Sequence, residues 1–312
     1  MIPNNKLFWE ILFLVFKKIL KLIRRKKTFY LIDDGKKLEI FCQEVSDKNL
    51  FGVDTEFDWR QTYFPILSII QISSVNKIFI LDVIKLGNLE RINEFFLNEK
   101  NFFIFHSLRS DSTVLSKCLG IKIKNCFDIQ IAEKLLNGNE IKGYSDIVKD
   151  YTGLRLNKSE TNSDWLKRPL SSSQIKYAQE DVDYLLDIYK VQLKFLKKRE
   201  LLNDVLNLSI KESRLGQEPF KKLRLKRIKK KLSIREREIF LWREEIAEQE
   251  NIPPSFVFRN KSFKRLCDIK SSDIDLRSKI MKIFGDSYIS EKFIEKFLWY
   301  FFGLYIFYYL SW

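Results

Sequence analysis

The sequence predicts an α/β domain followed by a small all-helical domain, and three observations carry this. Runs with high strand propensity cluster early, at "TFYLI", "FGVDTEFDW", "PILSIIQIS", "KIFILD" and "NFFIF". Helical periodicity dominates the residues after them. A strongly basic stretch at 211–231 then separates a mixed texture from a purely helical one. Strands early and helices later in one segment fit a layered α/β domain.

Each element has its own reason. Residues 28–32 read as a strand and 36–45 as a helix. Strands at 51–59, 65–73 and 77–82 have short connections, which predicts an antiparallel meander. A helix near 87–98 and an apolar strand at 101–105 come next. The helix at "SDSTVLSKCL" has Ser110 or Asp111 near its start, where an acceptor caps free N–H groups. A short strand ends at Phe127, Asp128 is placed to cap the next helix, and helices fill 129–151. One long helix is predicted over 172–199, and the domain is expected to end near residue 210. The domain limits are thus 28–210 for the α/β part, 211–231 for a basic linker and 232–302 for the helical part, which Pro253 and Pro254 break into short helices.

Composition narrows the function. With 45% hydrophobic residues the chain is globular. The four cysteines form no C-x-x-C pair, so free thiols in a reducing, cytoplasmic setting are expected. A single histidine, His106, removes most histidine-based zinc sites. It follows a buried strand and is expected to be a structural hydrogen-bonder. The formal charge of +15 is carried by two stretches, "KKILKLIRRKK" at 17–27 and residues 211–231, while the rest is formally neutral. Such stripes attract polyanions, either nucleic acid or an anionic membrane surface. The extension 1–27 has its apolar part before its basic part, which is the reverse of a signal peptide. Its apolar stretch "LFWEILFLVF" is too short to span a bilayer, and the extension is read as an interfacial helix with weak membrane contact or as a docked extension. The apolar tail 303–312 is left without an assigned role.

The acids of "FGVDTEFDW" carry the chemistry. Residues two apart in a strand share a face, so Asp54 and Glu56 set two carboxylates side by side. They repel unless a cation lies between them. Asp111 follows the apolar strand at 101–105. Tyr177 and Asp181 lie four apart on a helix and share its face. Four acids from three separate elements, all oxygen donors, select Mg²⁺ or Mn²⁺. Two such ions about 3.5–4 Å apart would neutralise them and clamp a phosphate.

These residues resemble the DEDD 3′→5′ exonucleases of the ribonuclease H-like fold, and among them ribonuclease D. The first motif is "DTEF" continuing through "RQTYFPILSIIQI", the second "HSLRSD" and the third "YAQED". The stretch "GYSDIVKDYTGLRLNKSETNSDWLKRPL" is similar to the family's segment ahead of the third motif. Tyr177 four residues before Asp181, with no histidine nearby, resembles the tyrosine branch. Residues 232–302 resemble an HRDC domain, a helical nucleic-acid-binding module; the family's best-known members carry two, and this chain has room for one.

The resemblance implies a mixed sheet flanked by helices and a two-metal hydrolase releasing nucleoside 5′-monophosphates from RNA with a free 3′ end, tRNA precursors being the usual substrate class. It implies that Asp54 bridges both ions, that Glu56 and Asp181 hold the ion binding the attacking water, that Asp111 supports the second ion through water, and that Tyr177 orients the attacking water. No obligate protein partner is expected. Tyr63 and Phe64 are read either as stacking on a terminal base or as core. Lys158, Ser159 and Glu160 either face substrate phosphate or sit in a loop. Trp165 is read as packing, and Asp183 as an exposed helix acid. Lys221, Lys222, Arg224, Lys226 and Arg227 in the basic stretch are candidate RNA contacts. The competing readings are a DNA 3′→5′ exonuclease, which shares the same acids, a non-catalytic RNA-binding protein, which would lack one of them, and a membrane-attached protein.

Overall fold

The computed structural model describes residues 27–138, 140–228, 231–285 and 290–303. The expectations placed on residues 1–26 and on the tail from 304 lie outside these residues. Among the described residues no helix is long and apolar enough to cross a membrane. The chain divides into two units: residues up to Asp58 with Ile66–Glu218, and Trp59–Pro65 with the residues from Pro219 on.

The first unit is built on a six-stranded sheet in the order β1-β4-β3-β2-β5-β6. Its strands are β1 (Thr28–Ile32), β2 (Leu50–Asp58), β3 (Ile66–Ser73), β4 (Lys77–Asp82), β5 (Phe102–Phe105) and β6 (Cys126–Asp128). The antiparallel meander read from the short connections is present as β2, β3 and β4. β1 joins β4 in parallel, and β5 and β6 extend β2 in parallel, so the sheet is mixed.

Helices cover both faces, as the alternation of each strand requires. Val53, Ile70, Ile72 and Phe79 point to one face, where α1 (Gly35–Val45), α3 (Glu90–Leu97) and α4 (Arg109–Leu119) bury Phe41, Phe95 and Val114 against them. A short α2 (Val83–Leu86) precedes α3. The other face carries Ile69, Ile80, Ile104 and Phe127 under α5 (Ile129–Leu136), α6 (Tyr144–Thr152), α7 (Ser172–Asp183) and α8 (Leu185–Lys198). Asp128 caps α5 as expected, accepting from Gln130 N. The helix α4 differs from expectation at its start: neither Ser110 nor Asp111 caps it. Asp128 instead accepts from the N–H groups of Ser107 and Leu108 just before it. The single long helix read over 172–199 is divided at Tyr184 into α7 and α8.

The basic stretch 211–231 is not a plain linker. Its first residues belong to α9 (Leu202–Gln217), which packs on α4. There Thr113 donates to the Gly216 carbonyl at 2.9 Å, and a Cβ on Gly216 would lie 2.5 Å from the Arg109 carbonyl oxygen. The α/β unit therefore runs past residue 210. Residues after Pro219 form α10 (Phe220–Lys226) of the second unit.

That second unit is helical among its described residues. It contains α11 (Ile234–Gln249), α12 (Pro254–Val257), α13 (Phe263–Cys267), α14 (Leu276–Phe284) and α15 (Ser290–Phe302). Ser233 and Glu236 form a capping box at the start of α11. Trp242, Phe258, Phe284 and Phe297 fill the core. The β2–β3 connection belongs to this core too. Tyr63 is fully buried there against Phe64 and Phe220.

Candidate active site

The β2 alternation puts Gly52, Asp54 and Glu56 on the sheet face under α7. Asp181, in the last turn of α7, meets the two acids there. One carboxylate oxygen from each of Asp54, Glu56 and Asp181 lies within 4.8 Å of the others. Thr55, between the two acids in sequence, points to the opposite face. Its hydroxyl donates to Asp111 Oδ1 of α4 at 2.7 Å. Asp111 also lies near enough to Asp54 that each bears on the other's proton affinity. Acids from β2, α4 and α7 are thus brought together, with three in a tight group and Asp111 beside it.

Burial and mutual repulsion dominate the electrostatics. Burial, then Asp181 and Asp111, pushes the Glu56 carboxyl up to about 9. Burial, then Glu180 and Asp111, pushes Asp181 up to about 8, and burial pushes Asp111 up to about 7. Asp54 is held well above the usual carboxylate range by burial and then by Asp111, Asp181 and Glu56. No lysine or arginine pairs with any of the four among the described residues. Asp181 Oδ2 is buried with no hydrogen-bond partner. An orphaned carboxylate oxygen within a set of oxygen donors is what a hard divalent cation fits.

A cleft of about 250 Å³ opens over these carboxylates, walled in part by His106, Tyr144, Thr161 and Tyr177. The Tyr177 ring packs near Trp165 at 6.0 Å, and its hydroxyl lies 3.4 Å from Thr161 Oγ1. Burial, and then the Asp181 charge, raises the Tyr177 hydroxyl above its ordinary value, so it remains a protonated donor. His106 is the structural hydrogen-bonder expected: its Nε2 is 3.3 Å from the Lys142 carbonyl and 3.3 Å from Gln130 Nε2. Burial lowers its pKa, which keeps the ring neutral. Trp165 is buried packing, as read. Arg168 anchors the loop carrying it, donating to Asp82 at 2.7 Å and to the Trp165 carbonyl at 2.7 Å.

Several sequence candidates stand elsewhere. Tyr63 cannot offer a face to a base, because Phe64, Phe220 and Arg224 occupy its surroundings. Phe64 is packed beside it, and its N–H donates to Asn251 at 3.0 Å. Arg224 is also turned inward, donating to the fully buried Glu244 at 2.7 Å. Lys221 lies 3.6 Å from Glu248. Lys222, Lys226 and Arg227 are exposed. Lys158 and Ser159 are exposed in the loop before Trp165, with Glu160 half-buried. Asp183 is no exposed helix acid: its side chain is 20% exposed and pairs with Lys27.

Residue-by-residue reading missed Thr55, Tyr144 and Thr161. For Thr55 the signal was available in the alternation of β2, which must place it opposite Asp54 and Glu56. Tyr144 and Thr161 have no such pattern, because tertiary packing alone brings them to the cleft.

Comparison with known proteins agrees with this architecture. A family model described as 3′–5′ exonuclease matches residues 29–197. The chain is 31% identical over 254 residues to a ribonuclease D of Bartonella henselae, covering 78% of this chain and 62% of that relative. It therefore spans somewhat under two thirds of that relative's length. The fold matches the crystal structure of Escherichia coli RNase D, an exoribonuclease involved in structured RNA processing, with a TM-score of 0.73 and 22% identity over 86% of this chain and 75% of that one. It also matches the catalytic core of RRP6 from Trypanosoma brucei, with a TM-score of 0.65 and 23% identity over 95% of this chain and 87% of that one. Since the matched segment is more than half of its residues and contains all four clustered acids, the chain belongs to the 3′–5′ exonuclease family.

Proposed function

We propose that the protein is a metal-dependent 3′–5′ exoribonuclease of ribonuclease D type that trims 3′ ends of RNA, with tRNA precursors as its substrate class. The observation that supports this most is the convergence of one carboxylate oxygen each from Asp54, Glu56 and Asp181 within 4.8 Å, with Asp111 held beside them by the Thr55 hydroxyl. Asp54, Glu56 and Asp181 would hold one divalent cation, Mg²⁺ or Mn²⁺, and Asp111 with Asp54 would support a second. Such ions supply a water acidified to near-neutral pKa and charge stabilisation at the phosphate.

The chain's own residues do the rest. Asp54, Glu56 and Asp181 release their protons when a cation is held. Tyr177 keeps its hydroxyl proton, because burial and the Asp181 charge raise its pKa, and donates a hydrogen bond to a water or phosphate oxygen in the cleft. Thr161 steadies that hydroxyl. The neutral His106 holds the Lys142 segment at the cleft wall without adding charge. Lys158 offers its charge to substrate phosphate from the loop near His106.

The protein with Mg²⁺ is expected to release nucleoside 5′-monophosphates stepwise from a linear RNA oligomer. A matched DNA oligomer should be degraded more slowly, and a 3′-phosphate should slow the reaction. Separation of the products by chromatography reads all three. Internal cleavage of a circular RNA at a similar rate would overturn the proposal.

The helical unit is read as an HRDC-like module that helps hold RNA. With Tyr63, Phe64 and Arg224 committed to its interior, the exposed Lys222, Lys226 and Arg227 are candidates on α10 and just after it, alongside Lys221, which lies 3.6 Å from Glu248. Changing Lys222, Lys226 and Arg227 to glutamate is expected to raise KM on RNA severalfold. It should also flatten the salt dependence by about 0.7 in log–log slope for each single-strand phosphate that the variant no longer neutralises. Unchanged KM and slope would remove these residues from RNA binding. Substitution is preferred to truncation here, since a cut after Ser209 divides α9 and removes Phe220 and Glu244 from around Tyr63.

A further inference from the structure

Helix α7 ends at Asp183 and α8 begins at Leu185, with Tyr184 between them at φ −100° and ψ −12°. The local sequence "EDVDYLLDIY" contains neither glycine nor proline, so propensity does not explain the break. The partners of the backbone do. The last four carbonyls of an α-helix lack donors within the helix. Here three of those four receive side-chain donors from separate parts of the fold. Tyr144, at the start of α6, donates its hydroxyl to the Glu180 carbonyl at 3.2 Å. Ser73, at the end of β3, donates to the Val182 carbonyl at 2.7 Å. Lys27, just before β1, donates to the Asp183 carbonyl at 2.6 Å, and its side chain is only 4% exposed. The Tyr144 hydroxyl also interacts with the backbone of Tyr184.

Gly52 makes room for this junction. It pairs with Ser73 across the ladder and shares a sheet face with Asp54. A Cβ at Gly52 would lie 2.5 Å from Ser73 Oγ and 3.0 Å from Leu185 Cβ. Any side chain there would collide with the hydroxyl that holds Val182 and with the first residue of α8. The sheet is therefore bare at the point where the helix junction rests.

Asp181 stands between two residues whose carbonyls are held, Glu180 and Val182. Its carboxyl group shares a small space with two others, and wherever they ionise without a cation their repulsion favours moving the end of α7 away from β2. We propose that Ser73, Tyr144 and Lys27 are positioning residues of the acidic site: they hold the last turn of α7 on the sheet and so set where Asp181 stands relative to Asp54 and Glu56. This rests on reading those three acids as a cation site. Ser73 and Lys27 are not among the residues lining the cleft and act through Asp181, whereas Tyr144 holds the Glu180 carbonyl and also lines the cleft.

The test uses the full-length chain and Mn²⁺ alone as the probe. The dissociation constant is measured by calorimetry, and Tm separately, for wild type and for Ser73→Ala, Tyr144→Phe, Lys27→Met, Asp54→Asn and Thr152→Ala. Thr152 is the control: its buried hydroxyl donates to the Val148 carbonyl at 2.7 Å in α6, outside the cleft. Supporting partners of metal ligands typically contribute about 10–100-fold in affinity. Ser73→Ala and Tyr144→Phe are each expected to weaken Mn²⁺ binding about tenfold or more, and Lys27→Met severalfold. Thr152→Ala should lower Tm while leaving Mn²⁺ affinity at the wild-type value. Should Ser73→Ala fail to fold, Tyr144→Phe carries the test, because it keeps the ring and removes only the hydroxyl. Wild-type affinity in Tyr144→Phe and Lys27→Met would overturn the proposal. Absence of Mn²⁺ binding by the wild type, or equal binding by Asp54→Asn, would instead overturn the cation reading on which it rests.

Discussion

Asp54→Asn is expected to abolish exonucleolytic turnover while leaving the metal-free protein more stable than the wild type. Asp54 is the acid that meets all the others: Asp111, Asp181 and Glu56 all raise its pKa, on top of burial. Asparagine keeps its shape and removes the ionisable group. The loss in kcat should exceed about a hundredfold, beyond the 10–100-fold typical of residues that merely support a metal ligand. In EDTA, thermal unfolding at pH 8 should show a raised Tm, because one member of a like-charged buried group is gone. Tyr177→Phe makes the contrast. It removes one hydroxyl and keeps the ring beside Trp165, so a loss of about tenfold, equivalent to a single hydrogen bond, is expected. Near wild-type turnover of Asp54→Asn in Mg²⁺ would show that the acids are not the catalytic centre.

Stability without metal should fall as pH rises, and divalent metal should reverse the fall. The four acids hold protons more tightly in the folded chain than in the unfolded one, where their pKa values are near 4. Below pH 4 both states are protonated and the acids favour neither. As pH climbs, the unfolded chain ionises first, so folded stability is lost up to the folded values of about 7, 8 and 9 for Asp111, Asp181 and Glu56. Between pH 5 and its folded value of about 7, Asp111 alone corresponds to about 3 kcal/mol at about 1.4 kcal/mol per unit. At roughly 2–4 °C per kcal/mol for a unit of this size, Tm in EDTA should drop on the order of 10 °C between pH 5 and pH 9. Mn²⁺ should raise Tm more at pH 9 than at pH 5, since bound cations need ionised carboxylates. Asp54→Asn should flatten the EDTA profile. A Tm in EDTA that is level across this range would mean that the carboxyls are not buried together as described.

The readings that held share one property: they depend on short-range periodicity. Alternation along β2 places Asp54 and Glu56 on one face, and helical spacing places Tyr177 and Asp181 on another. Short connections between three strands lead to a meander, and Asp128 before a helical run leads to a cap. Each follows from the geometry of a single element or its immediate neighbour. The readings that changed or stood open depend on contacts far apart in the chain. Tyr63 lies in a turn after the first motif and is open by sequence to either stacking or core packing; the core alternative is decided by distant partners, its hydroxyl meeting Glu244, 181 residues away. Asp183 looks like a solvent-facing acid until Lys27 reaches it across 156 residues.

The amino-acid sequence by itself determined the order and type of most elements, the common face of Asp54 and Glu56 on β2 and the common face of Tyr177 and Asp181 on α7. The side-chain period of a strand and of a helix is a local property, and acidic oxygen donors carry their metal preference with them. Tertiary structure alone decided that Thr55 engages Asp111, that α7 breaks at Tyr184, and that part of the basic stretch turns inward. Those outcomes depend on which distant donor reaches a carbonyl or carboxylate first, and on where a missing Cβ lets two elements approach. Packing of the whole chain settles such competitions, and no window of neighbouring residues contains both partners.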